Sequence, residues 1–237
     1  MLQDRILQPA FTLALILGAT LLFLGVDLAL NDSVASVFDE GHAVELMSPV
    51  LLFAGILLWC GCGCGESDRR QWHVPLVLAL LALREFDLDK RLTSEGVLQL
   101  RLYSGPAPAW EKAVGLAVVA LILLCAWRLA TVTAPCWWRG LRQGRPACWL
   151  AGGSVLLIVL AKTLDGLGRK LAALGIAADP RLVTVTGRIE ELLELAAYVM
   201  LVQALVYTAR RGRGGWPVSV PPPAGPAPFG SPRPHRR

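Results

Sequence analysis

The sequence has little charge for its length. Asp, Glu, Lys and Arg make up only 17% of the 237 residues, whereas 54% are hydrophobic and the mean hydropathy is +0.53. A soluble globular domain normally carries about 25% charged residues. The shortage of charge therefore excludes an ordinary water-soluble domain, and a chain that is apolar almost throughout favours one helical bundle in lipid.

The sequence is also poor in residues that ligate metals or perform covalent chemistry. It has three histidines, His42, His73 and His235, which are predicted to lie on the outer side of the membrane, on its cytoplasmic side and in the tail. This separation argues against histidine-ligated zinc and bis-histidine haem. The sequence contains neither a Gly-x-Ser-x-Gly elbow nor a phosphate-binding Walker loop. These absences weigh against an enzyme, although carboxylates alone can hold Mg²⁺, Mn²⁺ or Ca²⁺.

Six apolar segments approach the roughly 20 residues that a bilayer-spanning helix needs. We predict an all-α integral membrane protein in which residues 1–209 form a bundle of about six transmembrane helices. Residues 210–237 are basic and rich in Pro and Gly, and we predict a disordered cytoplasmic tail. The predicted spans are Pro9–Leu30, Glu45–Cys64, Trp72–Arg91, Ala113–Thr131, Cys148–Leu167 and Ile189–Tyr207.

The distribution of basic residues predicts the orientation, because short loops rich in Lys and Arg stay in the cytoplasm. Arginines follow the second, fourth and sixth spans, whereas the loop after the first span is acidic and the loop after the fifth, with Arg169 and Lys170, breaks the pattern. We predict a multi-pass protein of a bacterial inner membrane with both termini cytoplasmic. A cleaved signal peptide is the alternative for the first segment.

Charged residues within the predicted spans lie almost entirely in the outer half of the membrane. Charge at that depth is expensive and is usually paired or functional. We predict an ion or proton site from nine residues, with four secondary contributors that include His42 as a proton gate or an ordinary interfacial residue. The nine are Glu45, Arg84, Glu85, Asp87, Lys162, Asp165, Glu190, Glu191 and Glu194; the four are Asp27, His42, Lys112 and Tyr198.

Three arrangements keep so many acids stable in a low dielectric: ion pairs with Lys162, Arg84 and Lys112, a bound divalent cation, or a retained proton. The first arrangement is structural and the other two are functional, so three functions stay open. The favoured one is proton- or cation-linked transport, and a membrane assembly or scaffold protein is the alternative. The third is a metal-assisted enzyme that acts on a lipid or envelope substrate. As partners we expect the lipid bilayer, with a homo-oligomer or another membrane protein left open, and no nucleic acid.

Overall fold

The computed structural model describes residues 8–31, 43–62, 71–86, 93–177 and 179–210. Within these ranges the chain is helical and contains no strand. A π-helical segment, Leu129–Thr133, joins the fifth helix to the sixth. The helices are α1 (Pro9–Asn31), α2 (Ala43–Cys62), α3 (His73–Glu85), α4 (Leu100–Ser104), α5 (Ala109–Arg128), α6 (Ala134–Arg142), α7 (Pro146–Leu164), α8 (Leu167–Ala173) and α9 (Pro180–Arg210).

Four helical stretches are long and apolar enough to cross a membrane: α1, the continuous stretch Ala109–Arg142 that joins α5 to α6, α7 and α9. The predicted helical, membrane-type fold is therefore confirmed, and four of the six predicted spans have the required length. In α2 the apolar part is the shorter stretch Leu46–Gly61. The 13 residues of α3 are about 20 Å long, against about 30 Å for the hydrocarbon core of a bilayer.

Helix boundaries differ from the predicted spans at two places near the charged residues. The fifth span ends at Leu164 rather than Leu167, and Gly166 turns the chain with a φ of 60°, which favours glycine. Helix α9, which corresponds to the sixth predicted span, begins at Pro180, nine residues earlier than predicted. A carboxylate oxygen of Asp179 accepts a hydrogen bond from the Arg181 amide at 2.8 Å and caps this helix start.

Helix α9 is at the centre of the bundle. It packs most extensively against α7 and also contacts α2 and α1. Its apolar face joins a core with residues of α1, α2 and α3, and on the α7 side Gly153 lies directly against the Met200 side chain. The buried core comprises Ile16, Val44, Met47, Leu51, Leu52, Leu78, Ala82, Leu195, Tyr198, Val202 and Leu205.

Large apolar side chains cover the outward faces of the long helices. Leu21, Leu22, Leu123 and Leu156 are all more than half exposed. Exposed apolar surface on this scale is costly in water and is the normal surface of a helix in lipid. The exposure pattern therefore fits the membrane assignment made from length and composition.

The segment before α5 is fastened to the start of that helix by polar contacts. One Glu111 carboxylate oxygen accepts hydrogen bonds from the Ser94 amide at 2.8 Å and the Ser94 hydroxyl at 2.7 Å. The Lys112 ammonium donates to the Gly105 carbonyl at 2.8 Å. One turn further on, Gly115 lets the fully buried Leu102 side chain approach the helix backbone. A short loop structure is thus held against one end of α5.

Substitution of Gly115 by Ala tests this packing. The added methyl would lie 2.9 Å from Leu102 Cδ2 and 2.8 Å from the Tyr103 hydroxyl, which is itself held by the Val97 carbonyl. We expect the free energy of unfolding to fall by about 1–3 kcal/mol, the usual cost of overpacking. Gly18→Ala is the matched control, since nothing lies within 4 Å of the added atom. Thermal melts in detergent should show a loss for Gly115→Ala only; equal behaviour of the two variants would contradict the contact.

Candidate functional site

The contact between α7 and α9 is ionic at one end. The Lys162 ammonium on α7 lies 2.6 Å from a carboxylate oxygen of Glu194 and 3.2 Å from one of Glu190, both on α9. The two glutamates are four residues apart and so lie on one helix face. Their side chains are only 12% and 17% exposed, and that of Lys162 is 30% exposed. One cation therefore serves two largely buried anions.

Asp165 extends this cluster towards the edge of the bundle. A carboxylate oxygen lies 4.0 Å from the Lys162 ammonium, and the other oxygen lies 3.9 Å from the Arg169 guanidinium. The Lys170 ammonium donates to the carbonyls of Lys162 and Thr163 at 3.0 Å and 3.3 Å, so it caps the end of α7. Lys162, Asp165 and Arg169 follow one another at steps of three and four residues and remain neighbours, although α7 ends between Lys162 and Asp165.

A further carboxyl, that of Glu85, reaches the same region from α3. The Tyr198 hydroxyl on α9 donates a hydrogen bond to Glu85 Oε1 at 2.9 Å. Tyr198 is four residues after Glu194 and is buried, so it continues the face of α9 that carries the cluster. Glu85 and Glu194 are close enough to interact electrostatically. Three helices, α3, α7 and α9, thus contribute charged or hydroxyl groups to one site.

The site lies at one end of the bundle. Lys162 is near the last turn of α7, Glu85 is the last residue of α3, and Glu194 is 16 residues before the end of α9 at Arg210. Those 16 residues span about 24 Å along the helix axis. The basic residues of α6 and the α6–α7 loop lie beside the opposite end of α7. Sequence reasoning placed the charged layer and the basic loops at opposite ends, and the structure has the same separation.

Six of the predicted residues come together here: Glu85, Lys162, Asp165, Glu190, Glu194 and Tyr198. Arg84 is exposed and interacts electrostatically with Glu85 and Lys162. Glu191 is half-buried on α9 beside them. The side chain of Glu45, and the whole of Asp87 and His42, lie outside the described residues.

The contacts described for Asp27 and Lys112 are with neighbouring segments of the chain and not with the carboxyl cluster. An Asp27 carboxylate oxygen accepts a hydrogen bond from the Ala43 amide at 3.2 Å, at the start of α2, and the other accepts one from Asn31 at 2.8 Å. Lys112 donates to the carbonyl of Gly105, as described above. Asp27 therefore connects α1 to the first turn of α2. A part for either residue in the predicted site stays a prediction.

A polar group at the other end of the bundle was not singled out by sequence reasoning. His73, in the first turn of α3, is fully buried, and its Nε2 lies 2.8 Å from the Thr133 hydroxyl in the π-helical segment. The adjacent Gln71 is also buried. The predicted third span begins at Trp72, so the sequence placed His73 on the cytoplasmic side and indicated no role for Gln71. Pro75 two residues later was the available signal, since proline favours the first turn of a helix.

The cluster holds acids in excess of buried bases. Glu85, Glu190 and Glu194 share one partly buried ammonium, and Arg84 supplies its charge from an exposed position. Among the described residues, no group of three or more His, Cys, Asp or Glu side chains is placed to hold a metal ion. Carboxylates that share one cation in a low dielectric are all ionised only at a high energetic cost, so a site of this kind can take up and release a proton.

Removal of the ammonium tests the charge balance. Lys162→Met leaves Glu190 and Glu194 side by side without their cation. We expect a loss of stability somewhat below the about 3–5 kcal/mol of a fully buried broken pair, because part of the lysine is exposed. The triple variant Lys162→Met, Glu190→Gln, Glu194→Gln should recover most of that loss. Thermal melts in detergent at fixed pH measure both; a triple variant less stable than Lys162→Met would contradict the ion pairing.

Comparisons with protein-family models, curated proteins and solved structures find no match to this chain.

Proposed function

We propose that this protein is a proton-linked transport protein of a bacterial inner membrane, in which the carboxyl cluster around Lys162 binds and releases the transported or coupling proton. The observation that carries the proposal is the sharing of one ammonium by Glu190 and Glu194, with Glu85 held behind them by Tyr198. Charged groups within membrane helices usually mark proton or ion pathways.

The number of acids around Lys162 supports a proton-binding role for the cluster. A purely structural ion pair needs one acid for each base, whereas here several acids converge on one ammonium. Burial disfavours the ionised form of the excess acid and nearby cations favour it, so its protonated and ionised states differ little in energy. Protonation of Glu194 would release Lys162 to Glu190, and ionisation would draw it back. The ammonium thereby couples the charge of the site to the contact between α7 and α9.

The convergence of three helices supports a transport role rather than a static one. The substrate and ion sites of transporters are usually built where several helices meet. Glu85, Lys162 and Glu194 come from α3, α7 and α9, so a change of charge acts on three helices at once. In this proposal the chain has six spans, with α2 and α3 as the two shorter ones, and the cluster lies in the outer half of the membrane.

Two measurements on Glu194→Gln test the proposal without knowledge of a substrate. In infrared spectra of the protein in nanodiscs, recorded from about pH 5 to pH 9, we expect the carbonyl band of a protonated carboxyl from the cluster. The band should be lost in Glu194→Gln. Proteoliposomes with an enclosed pH dye and a potassium diffusion potential should show proton movement that the same variant lowers by at least about tenfold.

Glu95→Gln is the matched control. Glu95 pairs with the exposed Arg101 in the segment before α5 and is not among the residues that contact Lys162 or Tyr198, so both signals should persist. A wild type with no protonated carboxyl and no proton movement over that pH range would leave the cluster as a structural ion-pair network, the arrangement expected of a scaffold protein. Stabilisation by a divalent cation that is lost in Glu194→Gln would instead favour metal-assisted chemistry.

A further inference from the structure

The buried polar group at the start of α3 has no role in the proton site. Gln71 and His73 are 1% and 0% exposed, and His73 contacts Thr133 in the π-helical segment. The charged cluster is at the other end of α3, at Glu85. Any ligand of this second group would therefore bind independently of the proton site.

Two atoms of this group lack hydrogen-bond partners. Within the part of the chain that the structure describes, neither Gln71 Oε1 nor His73 Nδ1 has one, although both atoms are buried. A buried polar atom without a partner destabilises the folded protein. An amide oxygen only accepts hydrogen bonds, so its missing partner must donate. His73 Nδ1 can accept or donate, depending on which way the bond to Thr133 runs.

Among the described residues, Arg128 brings positive charge to the surroundings of the two atoms. The Arg128 guanidinium lies 5.9 Å from the centre of the Trp72 ring and interacts electrostatically with His73. Helix α3 begins here without a side-chain cap or an acidic residue in its first turn, so no side chain of that turn compensates the positive end of its dipole. A guanidinium has five N–H groups, so Arg128 can contact an anion in addition to its other partners. The group thus favours a ligand with negative charge.

The position of the group indicates the source of the ligand. Trp72 and Trp127 beside it are exposed, and so are Trp138 and Trp149 at the same end of the bundle. Exposed tryptophans gather at the level of the lipid headgroups. The same end carries Arg139, which lies on α6. An anionic headgroup of the membrane surface is therefore the nearest ligand of matching charge.

The π-helical segment supports a binding role. Five residues, Leu129–Thr133, interrupt the long helix that continues from α5 into α6, and Thr133 in this segment is the contact of His73. Single turns of π-helix are rare and occur frequently at functional sites. Here the interruption places a hydroxyl against a fully buried imidazole at the headgroup end of the helix.

We propose that Gln71, His73, Arg128 and Thr133 bind the headgroup of an anionic phospholipid with free hydroxyls, of the phosphatidylglycerol type. The phosphodiester lies at Arg128 and the start of α3, and a glycerol hydroxyl donates to Gln71 Oε1. A second hydroxyl pairs with His73 Nδ1. This chemistry supplies both the negative charge and the donors that the buried atoms lack.

The test compares two anionic lipids that differ in hydroxyl groups. Phosphatidylglycerol has two headgroup hydroxyls, whereas phosphatidylethanol has the same phosphodiester charge and none. We measure binding of each to the full-length, delipidated protein by native mass spectrometry. The wild type should bind phosphatidylglycerol about thirtyfold more tightly, the change expected for two neutral hydrogen bonds.

Two variants separate the charge from the hydroxyls. Arg128→Gln should weaken the binding of both lipids, by about tenfold, as for a lost charge-assisted hydrogen bond. Gln71→Met should lower the preference for phosphatidylglycerol to about fivefold, the share of the remaining hydroxyl contact with His73. It should also raise the melting temperature of the lipid-free protein, because it removes a buried acceptor without a partner. A merely structural Gln71 would produce no change in lipid preference.

Arg142→Gln is the matched control, since Arg142 also lies over a tryptophan at this end, 5.1 Å from the Trp138 ring centre. Its lipid binding should equal that of the wild type. Equal losses in Arg128→Gln and Arg142→Gln would mean general surface charge and would overturn the proposal. An equal affinity of the wild type for the two lipids would also overturn it, as would full stabilisation of the protein by free glycerol phosphate.

Discussion

A charge inside a lipid bilayer must be neutralised within the protein, and this constraint explains the arrangement of α7 and α9. The Lys162 ammonium reaches across the helix contact to Glu190 and Glu194, so the two helices cannot slide or rotate freely without separating charges. Further along the contact the helices pack closely, because Gly153 has no side chain and the Met200 side chain lies directly against it. Ionic contact at one end and close packing further along give these helices one defined alignment.

Helix α9 transmits that alignment to the remaining helices. Its other faces pack into the core with α1, α2 and α3, and Tyr198 carries a hydrogen bond to Glu85 on α3. Tyr198 belongs both to the apolar core and to the polar site: its ring packs in the core, and its hydroxyl bonds to Glu85. A change of charge at Glu194 is therefore coupled to the packing of four helices, which is the physical basis of the transport proposal.

The two ends of the bundle have different polar chemistry. The end with Lys162 has carboxylates in excess and suits a proton. At the other end, within the described part of the chain, Gln71 and His73 each have one buried atom without a partner, and the Arg128 charge beside them suits an anionic headgroup. Helix α3 connects the two, since it begins at His73 and ends at Glu85. The lipid proposal and the proton proposal thus rest on separate observations and stand or fall independently.

The sequence by itself determined the membrane-type helical fold and most members of the candidate site. Hydrophobic length and sparse charge are local properties, and the spacing of Glu190, Glu194 and Tyr198 follows from helical periodicity. The tertiary structure decided which charges meet. The Lys162 contact with Glu194 and the Tyr198 bond to Glu85 join residues far apart in sequence, and periodicity carries no information on such contacts.

Tertiary structure also decided the features that local patterns contradicted. The stretch from Pro180 to Arg188 is too polar to be read as part of a span, yet it is helical because Asp179 caps it and α9 continues it. His73 is buried against the π-helical segment that contains Thr133. Such a segment is rare, and no residue pattern in α5 predicts it. Composition predicts that a helix forms, whereas its partners determine where it ends and which polar atoms it buries.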